Sequence, residues 1–222
     1  MQTHAAAEYD IAALVRAWNL GYAGYFVPLR FTEEMMRTHL RCGSIDLARS
    51  RVWTERDETV GFSFLGVRER RGWIGGFAIT PAFRGHGLSY RLFAEHIAEV
   101  RASGLTHVQL EVLTPNWARK TYERAGMAVT RTVQVLRGTL QPGRSGGAAR
   151  EVPGDEALAA LGSLHGDFHP AWTREEAWVR GAAQDASGAN GGGIVVERGG
   201  APAAALVWIE QGGAVRVLDG AA

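Results

Sequence analysis

The chain has 222 residues, of which 46% are hydrophobic and 21% charged, with a formal net charge of +1. That length builds one large domain, or one ordinary domain with a smaller companion, around a sizeable buried core. The near-neutral balance excludes a disordered polyelectrolyte, and with no basic cluster among aromatics it argues against a nucleic-acid partner.

The N-terminus, MQTHAAAEYD, has neither the basic flank nor the apolar run of a secretory signal, and no stretch has the length that spans a bilayer. A soluble, cytoplasmic protein with no membrane partner is expected. Residues 8–22 place Ile11, Leu14, Val15, Trp18 and Tyr22 at helical spacing, and Thr32 caps a second helix, EEMMRTHL, with acids in its first turn. Cys42, in HLRCGS, is the sole cysteine. It allows no internal disulfide and no tetrahedral thiolate metal site, suits a reducing cytosol, and reads as inert more readily than as an acyl acceptor. VWTERDETVGFSFLGVRERRGWIGGFAIT alternates apolar pieces with charged turns, which predicts three antiparallel strands near 50–55, 60–68 and 72–80, ended by Pro81.

The next helix buries Leu88, Leu92, Phe93, Ile97 and Val100 and stops at Ser103 and Gly104. THVQLEVL reads as a strand, with Val108, Leu110 and Val112 on one face and Gln109, Glu111 and Leu113 on the other. A helix over 116–124 ends at Gly126, MAVTRTVQVLRGTL reads as a bent strand, and QPGRSGGAAR is a linker. The predicted boundaries are a domain over 1–140, a linker over 141–150 and a smaller α+β half-domain over 151–222.

Between the third strand and the next helix stands FRGHGLS, residues 83–89. A helix N-terminus exposes unpaired N–H groups and the positive end of its dipole, and Gly85 and Gly87 would let an anion reach that backbone, with Arg84 adding a charge. A plain strand-to-helix turn uses glycine as readily, so the loop alone leaves both readings open.

The combination of ITPAFRGHGLS with the downstream NWARKTYERAGM resembles the GNAT acetyltransferase superfamily. The family's pyrophosphate loop, Arg/Gln-x-x-Gly-x-Gly/Ala, is matched by Arg84, Gly87 and, in a departure, Ser89. Its later element is matched by Asn116, Ala118 displaced by one, Tyr122, Gly126 and Met127. The resemblance covers residues 8 to 140. It implies a mixed α+β fold with a central, mostly antiparallel twisted sheet flanked by helices, and a first strand that the seven residues MQTHAAA must supply, so a short one or none.

The resemblance further implies an N-acetyltransferase that uses acetyl-CoA as co-substrate, requires no metal, and transfers the acetyl group to a primary amine of a small molecule or peptide by direct attack. Phe77, Ala78, Ile79 and Thr80 would give backbone bonds to pantetheine. The amides of Gly85, His86, Gly87, Leu88 and Ser89 would hold the diphosphate, Asn116 and Tyr122 would lie near the thioester, and an N–H near Ile79 would meet the tetrahedral oxyanion. Tyr122 is the candidate acid. Glu111 is the candidate base, with water carrying the proton as the alternative. A non-catalytic CoA-binding or scaffold protein of the same fold is the competing reading.

In the remainder, His165 and His169 have a metal-like spacing that Gly166 and Pro170 disrupt. HPAWTREEAWVRGA echoes VPLRFTEEMMRTHL, and VVERGGAPAAALVWIEQGGAVRVLDGAA echoes the three-strand segment, which suggests a partial internal repeat lacking the glycine loop. Residues 1–150 hold 20 Lys+Arg against 13 Asp+Glu (+7), whereas 151–222 hold 4 against 10 (−6). The acidic part would pack on the first domain or on a partner subunit, as in a homodimer, and would favour a cationic amine; drift of solvated faces explains the asymmetry equally well.

Overall fold

The computed structural model describes residues 1–139, 149–185, 191–211 and 213–222. They form two compact units, Met1–Thr130 and Arg131–Ala222. The linker expected at 141–150 lies, up to residue 148, outside the described residues.

The first unit begins with a four-residue strand, β1 (Gln2–Ala5). Asp10 caps α1 (Ile11–Gly21) by accepting from the Ala13 N–H at 2.6 Å, and Thr32 caps α2 (Glu33–Cys42) by accepting from Met35 at 3.2 Å. There follow β2 (Arg51–Glu55), β3 (Glu58–Arg68), β4 (Arg71–Ile79), α3 (Leu88–Ala102), β5 (His107–Gln109) and α4 (Ala118–Arg124). The sheet runs β1-β2-β3-β4-β5, antiparallel except for the parallel β4–β5 pair, so the mixed α+β architecture is the one the sequence implies. Among the described residues no helix is long and apolar enough to cross a membrane.

Each face of this sheet has its own core. On one, Val52, Phe62 and Phe64 meet Leu14 and Trp18 of α1 and Met36 of α2; on the other, Trp53, Phe77 and Ile79 meet Leu92, Phe93 and Ile97 of α3 and Tyr122 of α4. Apolar periodicity missed two buried histidines in these layers. His96, on the buried face of α3, has Nδ1 2.8 Å from Ser63 Oγ and Nε2 2.8 Å from the Arg49 carbonyl, so Nε2–H is a donor. His39, on α2, lies among the rings of Trp18, Phe31 and Trp73 and bonds to the backbone of Gly75.

Two predicted strands come out differently. THVQLEVL pairs only over His107–Gln109; beyond it Leu110 and Val112 still pack into the core, but without a ladder. Residues 127–139 contain no strand, and Val129, Val133 and Val135 are exposed. Alternation yields a strand only where a sheet edge accepts its backbone groups, and among the described residues no edge does so there.

The second unit comprises β6 (Ala149–Val152), α5 (Gly154–His165), α6 (Glu176–Asp185), β7 (Gly191–Arg198), β8 (Ala201–Gln211) and β9 (Ala214–Ala221), with sheet order β6-β7-β8-β9. This is the order of β1 through β4 with α1 and α2, and the correspondence extends to register. A constant offset of 143 carries Glu58 to Ala201 and Arg71 to Ala214. The two-residue turn after β2 matches the one after β7, and the bulges match: Val60 is the extra residue opposite β2 as Ala203 is opposite β7, and Gly75 is extra opposite β3 as Leu218 is opposite β8. The helix-covered faces match as well, with Val52, Phe62 and Phe64 corresponding to Val195, Ala205 and Val207.

Burial lowers the pKa of His39 from 6.5 to about 4 and lowers that of His96 as well. Both are therefore neutral in the fold and protonate more readily in the unfolded chain, so their contribution is complete above the unfolded value and is lost as pH falls through the window from 6.5 toward 4. For His39 the loss amounts to about 3 kcal/mol at most. Urea midpoints should fall over that window, and less steeply in His39→Gln; parallel pH profiles for the two proteins would contradict this.

Candidate active site

The site begins with the bulge in β4. Leu65 pairs with Ile74 and Phe64 with Gly76, leaving Gly75 unpaired and the strand bent. On its other side β4 pairs with β5 only at Arg71–Trp73, opposite His107–Gln109. From Ile74 onward the two strands part, and a cavity of about 550 Å³ opens between them. Gly75 permits the bend because the Trp73 side chain folds back across it: a Cβ on Gly75 would lie 2.3 Å from a Trp73 ring carbon. Folded this way, the Trp73 indole N–H donates to Glu111 Oε2 at 2.6 Å, and both residues line the cavity.

The edge of β4 facing the gap has defined polarity. Thr80 N–H donates to the Val60 carbonyl, so ladder alternation turns the backbone groups of Phe77 and Ile79 outward. Phe77 N–H reaches the Tyr22 hydroxyl at 3.3 Å, and the Ile79 carbonyl accepts from Arg84 Nε at 2.9 Å. The Ile79 N–H and the Phe77 carbonyl are thereby presented to the cavity side.

The loop between β4 and α3 has the conformation its glycines allow. Gly85 has φ +84° and Gly87, the N-cap of α3, φ +71°, and a Cβ on either would have no heavy atom within 4 Å. Backbone amides there front open space at the positive end of a 15-residue helix. Arg84 is turned the other way. Besides Ile79, its guanidinium donates to the Gly21 carbonyl at 2.7 Å and approaches that of Ala23 at 3.4 Å, tying the loop to the C-terminal end of α1. Its charge sits at the negative end of that dipole and not at the N-terminus of α3.

The other expected site residues divide. Phe77, Ala78, Ile79, Arg84, Ser89, Glu111, Asn116 and Tyr122 line the cavity, whereas Thr80, Gly85, His86, Gly87 and Leu88 do not. Thr80 is buried against β3, its hydroxyl donating to Thr59 O at 2.8 Å and its carbonyl accepting from Phe83 N–H, so both of its backbone groups are already engaged. Asn116 Oδ1 accepts from Ala118 N–H at 2.9 Å, capping α4, while its amide donates to the Tyr25 hydroxyl at 3.1 Å. Tyr122 packs on Phe93 and Phe77, and among the described residues its hydroxyl makes no hydrogen bond. Burial raises its pKa well above the ordinary phenol value, with Tyr22 and Tyr25 adding to the effect. The phenol is thereby held in its protonated form. Among the described residues no group of three or more His, Cys, Asp or Glu is placed to hold a metal ion, and His165 instead faces Asp219 at 3.4 Å.

Sequence reasoning missed Trp73, Tyr22 and Tyr25. All three fall in segments that read as apolar structure, and nothing in spacing distinguishes a core aromatic from one whose polar edge meets a cavity.

The fourth and fifth strands of this mixed sheet thus part beside a glycine loop and a buried tyrosine. The Acetyltransferase (GNAT) family model matches residues 12–127, and the chain belongs to that family as an acyl-CoA N-acyltransferase. Among solved structures, Ard1 from Thermoplasma volcanium is similar at 19% identity and TM-score 0.49, covering 59% of this chain and 84% of that one. A ribosomal-protein alanine N-acetyltransferase from Escherichia coli is similar at 18% identity and TM-score 0.47, covering 56% and 76%. Glucosamine-6-phosphate N-acetyltransferase from Arabidopsis thaliana is similar at 13% identity and TM-score 0.44, covering 62% and 97%. Among curated protein sequences none matches this chain significantly.

Because Gly75 has no room for a methyl group, Gly75→Ala should displace Trp73 or straighten the bulge, at about 1–3 kcal/mol of stability. Urea denaturation reads this directly, and an unchanged midpoint would mean that the bend does not depend on glycine.

Proposed function

We propose that this chain transfers an acetyl group from acetyl-CoA to a primary amine of a small molecule or peptide by direct attack within the cavity between β4 and β5. The observation that carries the reading is the parting of those strands after Trp73 and Gln109, which brings an open backbone edge, Arg84 and Ser89 from the two ends of the glycine loop, Glu111 and Tyr122 around one space. Acetyl-CoA supplies the activated acyl thioester. The open space before Gly85 and Gly87 suits its diphosphate, held by amides of residues 85–89, while Phe77 and Ile79 offer backbone groups to the pantetheine arm.

The chain's own groups then divide the proton work. Glu111, held by Trp73, accepts the proton of the incoming ammonium, directly or through water, so that a neutral amine attacks. The Ile79 N–H donates to charge developing on the acyl oxygen. Tyr122, protonated at any physiological pH, donates to the departing sulfur.

The same reading makes the second unit a partial copy without a site. At the position of Gly75 stands Leu218, buried in that unit's core, and at the position of Gly76 stands Asp219, paired with His165. The bulge that opens a cavity in the first unit is filled in the second.

Calorimetric titration should therefore show a single class of acetyl-CoA site, one per chain. Gly87→Asp should abolish binding while the protein stays folded, since Asp tolerates positive φ but sets a carboxylate before the amides. Glu111→Gln should lower kcat about 100-fold with little change in KM for acetyl-CoA. Unimpaired binding by Gly87→Asp would overturn the placement of the diphosphate, and unimpaired turnover by Glu111→Gln would remove Glu111 as the base.

A further inference from the structure

Resting on the acetyl-transfer reading, we infer that the acceptor is a primary amine carried on a flat aromatic body, entering with its ammonium foremost. The inference comes from the balance of groups lining the cavity. Among the described residues, Glu111 is the only carboxylate lining the cavity and Arg84 the only cationic side chain lining it. The Arg84 guanidinium is engaged with the carbonyls of Gly21, Ala23 and Ile79, so within the lining an acceptor phosphate or carboxylate meets a cation already occupied by three carbonyls. A polycationic amine finds one carboxylate for several charges, and desolvating the surplus ammonium groups is costly.

The cavity does offer aromatic surface. Tyr22 and Tyr25 meet edge to face at 5.2 Å, and Tyr25 and Phe26 at 5.4 Å, forming a wall that the Asn116–Tyr25 hydrogen bond holds in place. Phe26 is 55% exposed and Trp117 75% exposed, and both line the cavity, so two large rings stand at its rim in contact with solvent. Covering them with a flat apolar body removes that exposure.

Charge sets the orientation. The Lys120 ammonium lies 4.4 Å from the centroid of the Trp117 ring, so the rim repels a second ammonium. Glu111, an exposed carboxylate of the lining held by the Trp73 N–H, attracts it. Both terms turn the amine toward Glu111 and leave the ring to Phe26 and Trp117.

The test is thiol release by the full chain at saturating acetyl-CoA, with phenethylamine, n-butylamine, kanamycin and glucosamine phosphate as acceptors, alongside titration with acetyl-CoA. The expected result is a kcat/KM for phenethylamine about tenfold or more above each of the others, the size of one well-packed aromatic contact. Trp117→Ala and Phe26→Ala should each reduce the phenethylamine-to-butylamine ratio severalfold. A preference for kanamycin or glucosamine phosphate, or a ratio unchanged in both variants, overturns the inference while leaving acetyl transfer intact. Failure to bind acetyl-CoA, or binding without turnover of any amine, overturns the acetyl-transfer reading itself.

Discussion

The first unit depends on one local misfit: an extra residue in β4 that only glycine can supply. Gly75 lies under the Trp73 ring, with no room for a Cβ, and the bulge it forms bends the strand where its pairing with β5 ends. Were β4 regular, its outer edge would continue to pair with β5 and the backbone groups of Phe77 and Ile79 would be consumed in a ladder. The bend also folds Trp73 back, which places its N–H on Glu111. A cavity, an open backbone edge and an oriented carboxylate thus follow from one unpaired residue.

The sequence was informative where conformation is local. The cap at Thr32 and the stop at Gly104 come from residue types with specific backbone demands, as do the positive φ values of Gly85 and Gly87. The three antiparallel strands emerged for a related reason, since charged turns separate apolar runs at every hairpin. Arg84 shows the limit. Its place in the motif is legible, but its direction is decided by carbonyls at Gly21 and Ala23, sixty residues earlier in the chain. His96 and His39 were invisible for the same reason, because a histidine's partner across a core leaves no trace in its own helix. Alternation at 127–139 misled in the opposite direction, proposing a strand where none of the described residues completes a ladder.

The second unit separates framework from chemistry. Strand order and both bulges are kept at an offset of 143, so the backbone solution is held in common. What differs is the occupant of the second bulge. Leu218 points a large apolar side chain into the core that α5 covers, where Gly75 leaves space that Trp73 fills from the other residue's position. A bulge bends a strand whichever residue occupies it, but only a residue without a side chain allows a neighbour to fold over it and face a gap. The two units share a fold and differ in what that fold exposes.

Glu111 completes the argument because it lies beyond the ladder. Residues after Gln109 have no strand partner in register, so nothing in backbone pairing fixes where this carboxylate points. Its position rests on its neighbours: Leu110 and Val112, one on each side, are packed into the core, and the Trp73 N–H takes one carboxylate oxygen. A charge-assisted hydrogen bond from a rigid indole orients the carboxylate without a ladder. Regular pairing would have fixed Glu111 more firmly at the cost of closing the gap it faces. Side-chain anchoring keeps both, which is why the residue that bends β4 and the residue that holds the carboxylate lie two positions apart.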